Sequence, residues 1–159
     1  MHAGGRRVRR VRREEKENFD NWIRRTKGKP YFYSMEINEI TSIIIEECIY
    51  IHRELGPGLL ESVYEEVLYY RLKKRRLNVT GQQAIPVNFE EVKMEIGFRA
   101  DLIVENLVIV GLKSLDILPP VHFKHCVTYL NLAKLKVALM NNFNEVLLKN
   151  GIQRIVNNY

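Results

Sequence analysis

The sequence predicts an α/β fold of the α+β type, in which helices flank a mixed β-sheet. Three observations predict it: helical periodicity early in the folded region, several short runs of strand-forming residues after it, and a further helix among those runs. The predicted order, αα–ββββ–α–ββ, places helices against one sheet. A length of 159 residues suits a single domain of this kind.

The first helix is predicted from apolar residues that recur at three- and four-residue steps. It begins near Met35 and ends at Gly56-Pro57-Gly58, with Asn38 or Thr41 as its N-cap. The residues of its apolar face are Ile37, Ile40, Ile44, Cys48, Ile51 and Leu55.

Two more helices are predicted over about 59–75 and about 121–132, the latter opened by two prolines. Short apolar or β-branched runs predict the strands, with 152–156 as a further strand or a terminal turn. A hairpin loop is expected at Glu105-Asn106, and 107–110 is apolar on both faces, which is typical of a central strand. The other predicted strands are 77–80, 84–89, 94–104, 107–114, 136–140 and 146–148.

The net charge of +6 is unevenly distributed along the chain. Residues 1–34 contain eleven Lys/Arg and four Asp/Glu, a net of +7, whereas residues 35–159 have a net of −1. We therefore expect a basic, disordered N-terminal extension over 1–34 and a folded domain over 35–159. The candidate nucleic-acid contacts are the six arginines near its start, Arg6, Arg7, Arg9, Arg10, Arg12 and Arg13.

Three interpretations of this extension stay open. The first is a nucleic-acid-binding arm, because dense arginines bind phosphates. The second is a solvated tail without a function. The third is an upstream extension from a misplaced start codon, with Met35 as the true first residue.

Composition excludes several classes of protein. No apolar run reaches about 18 residues, so no membrane span is expected. Two cysteines, Cys48 and Cys126, are too few for a disulfide framework. With no secretory signal visible, a cytoplasmic location is the expectation.

Charged residues on predicted buried strands are the candidates for chemistry. Asp101 lies within one apolar strand and Lys113 ends the next, while Glu61 lies near the start of the second helix and His125 lies on the third. A buried charge is costly unless it is paired or bound to a cation. Asp101 and Lys113 therefore form either a salt bridge or a functional site.

From residue 35 onward the sequence resembles the GxxExxY family, a branch of the PD-(D/E)XK nuclease superfamily. The motif that names the family is present as Gly58, Glu61 and Tyr64. Further matches occur in order along the chain, at 52–61, 99–102, 120–122, 128–130, 142–143 and 151–152.

The resemblance implies a restriction-endonuclease-like core and a metal-dependent phosphodiester hydrolase. It implies that Asp101 and Glu61 bind Mg²⁺ or Mn²⁺ and that Lys113 assists the attacking water. His125 stands where relatives usually have glutamine and is a weaker candidate for contacting nucleic acid. DNA or RNA is the implied partner, and a homodimer is a further expectation.

One position departs from the family in a way that bears on activity. The E-x-K signature reads Gly111-Leu112-Lys113, so the second acid is absent. We expect a lost or weakened activity; a rearranged site that uses His125 and a change peculiar to this copy are the alternatives. A non-catalytic nucleic-acid-binding or protein-interaction module on the same fold is the other hypothesis.

The hairpin offers a geometric test of this assignment. A two-residue loop would place Asp101 opposite Val110, whereas a three-residue loop through Leu107 would place it opposite Gly111. The resemblance predicts the second register.

Overall fold

The architecture is a mixed β-sheet with two helices before it and one helix inserted between its strands. A computed structural model describes residues 35–157, so the predictions for 1–34 lie outside the described residues. The helices are α1 Ile37–Leu55, α2 Glu61–Lys74 and α3 Val121–Ala133. The strands are β1 Val79–Phe89, β2 Val92–Val104, β3 Val108–Lys113, β4 Val137–Asn142 and β5 Ile152–Val156.

The strands form one five-stranded sheet in the order β1-β2-β3-β4-β5. Only the β3–β4 pair is parallel, because α3 forms the crossover between those two strands. The predicted fold class is confirmed, and the strand predicted to be central, β3, occupies the middle of the sheet.

Both faces of the sheet are covered by helices. On one face, α3 contributes Cys126 and Leu130 to a buried cluster with Ile103, Ile109 and Ala138. The side chains that alternate with these on β2 and β3, such as those of Leu102 and Val110, are also buried. Helices α1 and α2 contact the sheet at β3, which explains why this strand is apolar on both faces.

A buried ion pair joins α1 to α2. Glu47 is 2% exposed and accepts hydrogen bonds from Arg71 Nε at 2.6 Å and from Arg75 Nη1 at 2.9 Å. Arg71 also lies over the ring of Tyr50. These contacts join the C-terminal end of α2 to α1.

Two strand predictions were wrong. The predicted strands 77–80 and 84–89 are replaced by one strand, Val79–Phe89, because Gly81 and Gln83 between them pair with β2, although Gln82 has a φ of 48°. The predicted strand 146–148 is a turn that leads into a 3₁₀ helix at Leu148–Asn150. Val146 is 87% exposed, so this apolar residue does not face the core from a strand.

The predicted N-caps of α1 were also wrong. The cap is Glu36, whose backbone N–H donates to the Glu39 carboxylate at 3.2 Å. Asn38 and Thr41 lie inside the first turns, where the Thr41 hydroxyl donates to the Asn38 carbonyl. A carboxylate at the third helical position provided the cap that short polar side chains were expected to provide.

Candidate active site

The β2–β3 hairpin has the three-residue loop that the resemblance predicts. Glu105 and Asn106 both adopt the left-handed conformation, with φ of 53° and 54°. Leu102 pairs with Val110, and continuing this register places Asp101 opposite Gly111. The predicted register is confirmed.

Asp101 lies where β2 and β3 separate. Its Oδ2 accepts a hydrogen bond from the backbone N–H of Leu112 at 2.9 Å, which replaces the next bond of the ladder. Burial raises the pKa of Asp101, while this hydrogen bond and the charge of Lys113 act in the opposite direction. The fold therefore places a partly desolvated carboxylate at the opening between the two strands.

Glu61 is the first residue of α2 and points towards the end of β3. Its Oε2 lies 3.9 Å from Lys113 Nζ, and its Oε1 accepts the Ser114 backbone N–H at 3.3 Å. The Ser114 hydroxyl donates to the Leu59 carbonyl, which ties the loop before α2 to β3. The expected alternative of an Asp101–Lys113 salt bridge is not formed among the described residues, since the ion pair of Lys113 is with Glu61.

The other residues of the Gly-x-x-Glu-x-x-Tyr motif hold this glutamate in place. Gly58 has a φ of 92°, a conformation that favours glycine. The hydroxyl of buried Tyr64 donates to the Gly56 carbonyl at 2.6 Å and accepts the Leu59 N–H at 3.2 Å. Its ring stacks on Phe143 at 4.3 Å. Gly58 permits the turn, the Tyr64 hydroxyl stabilises it with two hydrogen bonds, and Glu61 then begins α2 beside Lys113.

Gly111 is covered by a methionine. The parallel register places Gly111 beside Met140 of β4, and Met140 is 4% exposed. A Cβ at Gly111 would lie 3.1 Å from both the Sδ and the Cε of Met140. An apolar side chain thus occupies the space into which a side chain at position 111 would extend.

Two histidines of α3 lie at the site. The rings of His122 and His125 are 5.8 Å apart. Burial lowers the pKa of His122, and the nearby charges of Lys113 and His125 lower it further. The pair follows the one-turn spacing on α3, and the sequence places both histidines on this helix, although only His125 was predicted as a site residue.

The described residues do not provide the metal centre that the resemblance implies. Within residues 35–157, no group of three or more His, Cys, Asp or Glu side chains is arranged to hold a metal ion. Asp101 and Glu61 each accept a backbone N–H, and Met140 lies against Gly111, where the resemblance predicts a third acid. Cys126 does not supply a thiolate ligand either, because burial raises its pKa to about 11 and the thiol is protonated at neutral pH. The residues present therefore do not fit a three-carboxylate centre.

A solvent-open groove of about 530 Å³ adjoins Glu61. Asp116 lines it, and its carboxylate accepts a hydrogen bond from the Asn144 amide at 2.8 Å. The groove gives solvent and solutes access to the start of α2. The lining residues are Gly58, Leu59, Leu60, Glu61, Ser62, Ser114, Asp116 and Asn144.

Three comparisons with known proteins bear on the identity of this fold. A family model described as the PD-(D/E)XK nuclease superfamily matches residues 38–155. No curated protein and no solved structure matched the chain. Separately, no helix within residues 35–157 has the length and apolar character needed to cross a membrane.

Proposed function

Because the chain belongs to the PD-(D/E)XK nuclease superfamily, we propose that it is a GxxExxY-type phosphodiester hydrolase whose activity is lost or strongly weakened. The observation that carries this proposal is the Gly111–Met140 contact. Glycine offers no ligand, and the end of the Met140 side chain lies against the position that a side chain at residue 111 would take.

The proposed roles belong to three side chains. Asp101 and Glu61 are the carboxylates that a nuclease of this type would use for Mg²⁺ or Mn²⁺, and Lys113 is the cation beside the phosphate. The assignment is supported by the ion pair of Lys113 with Glu61, and by the charges of both residues acting on Asp101, whose pKa is raised mainly by burial.

DNA or RNA is the proposed partner, and a second copy of this chain is the other. We propose that residues 1–34 form a separate basic extension that binds phosphates through its arginines, with the domain beginning at residue 35.

Both cysteines are buried and unpaired, which supports a reducing, cytoplasmic compartment.

A cleavage assay tests the proposal. Single- and double-stranded DNA and RNA are incubated with Mg²⁺ or Mn²⁺ and with the native protein, Gly111→Glu, or Gly111→Glu combined with Lys113→Ala. We expect cleavage by Gly111→Glu, little or none by the native protein, and none by the combined variant. Strong cleavage by the native protein that Lys113→Ala abolishes would contradict the proposed loss of activity.

A non-catalytic nucleic-acid-binding module is the second candidate, favoured by the +7 charge of residues 1–34. Binding is measured at several salt concentrations for the native chain and for a variant with its six leading arginines changed to glutamine. Loss of affinity and a shallower salt slope would assign binding to the extension. Unchanged binding would assign it to the folded domain, and no binding by either protein would favour a protein-interaction module.

A further inference from the structure

Four ring side chains form a continuous row, which we call the ring row, that starts beside Lys113. His122, His125 and Tyr129 follow each other at steps of three and four residues, so they share one face of α3. Their ring centroids are 5.8 Å and 6.2 Å apart in succession, and the ring of Tyr129 stacks on that of Phe98 in β2 at 3.9 Å. Burial lowers the pKa of His122 and the nearby charge of Lys113 lowers it further, which places the start of the row beside the cation of the candidate site.

The two ends of the ring row differ in burial. Phe98 and Tyr129 are partly buried and pack against the cluster between α3 and the sheet, which anchors that end of the row. His125 is exposed, and its ring is tilted by 31° from the ring of Tyr129 rather than stacked on it. The imidazole of His125 is therefore the part of the row that a planar ligand can reach from solvent.

The charge of α3 suits an anionic ligand. The helix contains no aspartate or glutamate, and Lys124, next to His125, is exposed. The acids of the candidate site, Asp101 and Glu61, lie on β2 and α2 instead. No side chain of α3 therefore repels a phosphate backbone, and its lysine attracts one.

An exposed planar ring beside cations suits an unpaired base and its phosphates. Bases of single strands stack on aromatic and histidine side chains while the backbone follows positive groups. In a duplex the base faces are covered by neighbouring base pairs, so a row of rings has no base face to contact. We propose that the ring row is a stacking site for a single strand of DNA or RNA, one of whose phosphates lies at Lys113. This proposal rests on the proposed function and adds to it that unpaired bases, rather than a duplex, are the preferred ligand.

Binding of oligonucleotides in the presence of a chelator tests the stacking site without any cleavage. Fluorescence anisotropy compares a labelled single strand, the matching duplex, and an abasic strand of the same length and charge, each with the full-length chain. Every protein in the comparison has its six leading arginines changed to glutamine, so that residues 1–34 do not mask binding by the domain. We expect the single strand to bind at least about fivefold more tightly than the abasic strand, since one stacked base contributes about this factor. The duplex should bind more weakly than the single strand.

Variants of α3 locate the stacking ring. His125→Ala should weaken binding of the single strand at least about fivefold and leave binding of the abasic strand unchanged. His125→Phe keeps a flat ring and should restore the binding. The matched control is Val127→Ala, which shortens a side chain that is 38% exposed on another face of the same helix and should change neither affinity. Circular dichroism melting confirms that each variant is folded.

Three results would overturn the proposal. The first is equal binding of the intact and the abasic strand, which would mean that only phosphates are bound. The second is an equal effect of His125→Ala and Val127→Ala on the single strand. The third is tighter binding of the duplex than of the single strand, or no binding of any of the three ligands. The cleavage assay of Gly111→Glu decides the proposed function independently of these results, so the two proposals fail separately.

Discussion

Introducing an acid at position 111 perturbs both the packing and the charge around Asp101. The added Cβ lies 3.1 Å from two atoms of Met140, closer than an ordinary contact, so the methionine side chain has to move. Overpacking of this kind costs about 1–3 kcal/mol. Replacing a strand glycine returns about 0.5–1 kcal/mol. From the middle of these two ranges, we expect Gly111→Glu to lower the free energy of unfolding by about 1 kcal/mol without divalent cations.

The charge effect separates a metal site from a packing defect. The new carboxylate would stand opposite Asp101, and two like charges at one site oppose each other until a cation joins them. An ion present at ten times its dissociation constant would stabilise the variant by about 1.4 kcal/mol. The native chain, with Met140 in that space, should gain much less.

Urea denaturation of the native chain, Gly111→Glu and Gly111→Gln, with chelator and with Mg²⁺ or Mn²⁺, measures both effects. Gly111→Gln is the matched control, since it adds nearly the same volume without charge. It should be destabilised as much by packing but gain little from the ion. The reasoning is refuted if Gly111→Glu is as stable as the native chain in chelator, or if cations stabilise the two variants equally.

Three further predictions concern residues that position the site. Glu47→Gln should lower the free energy of unfolding by about 1–3 kcal/mol, because the buried charge that accepts the arginine hydrogen bonds is lost. Glu46→Gln, at the exposed ion pair, should change it by less than about 1 kcal/mol. Urea denaturation measures both variants, and equal losses would refute the role of burial. Tyr64→Phe should lower the free energy of unfolding by about 1–2 kcal/mol, since the turn before Glu61 loses two hydrogen bonds. The same change should reduce any nuclease activity of Gly111→Glu. Thermal melting and cleavage assays check both effects, and an unchanged melting temperature would contradict the reasoning. Burial raises the folded-state pKa of Asp101 above its unfolded value, so its stability contribution is fully present below about pH 4 and is lost as the pH rises through the folded pKa. Asp101→Asn should therefore have a higher free energy of unfolding than the native chain at neutral pH, and the difference should vanish in acid. Urea denaturation at several pH values measures it, and a pH-independent difference would exclude burial of the charge as the cause.

Much of the fold followed from local patterns. The apolar spacing of α1, the Gly-Pro-Gly break and the doubly apolar β3 each correspond to an observed element. The resemblance also predicted the hairpin register that places Asp101 opposite Gly111. Local errors arose where neighbours decide structure, as at 146–148, where Val146 and Leu147 are exposed and Leu148 is buried as the first residue of a 3₁₀ helix.

The sequence by itself determined which groups are available: Glu61 at a helix start, Asp101 and Lys113 on successive strands, and a glycine where the superfamily signature has an acid. Only the tertiary structure decided that Lys113 pairs with Glu61, that Tyr64 locks the turn before it, and that Met140 covers Gly111. The physical reason is distance along the chain. Gly111 and Met140 lie on strands that α3 separates in the chain, and no local pattern specifies which residue of β4 pairs with Gly111.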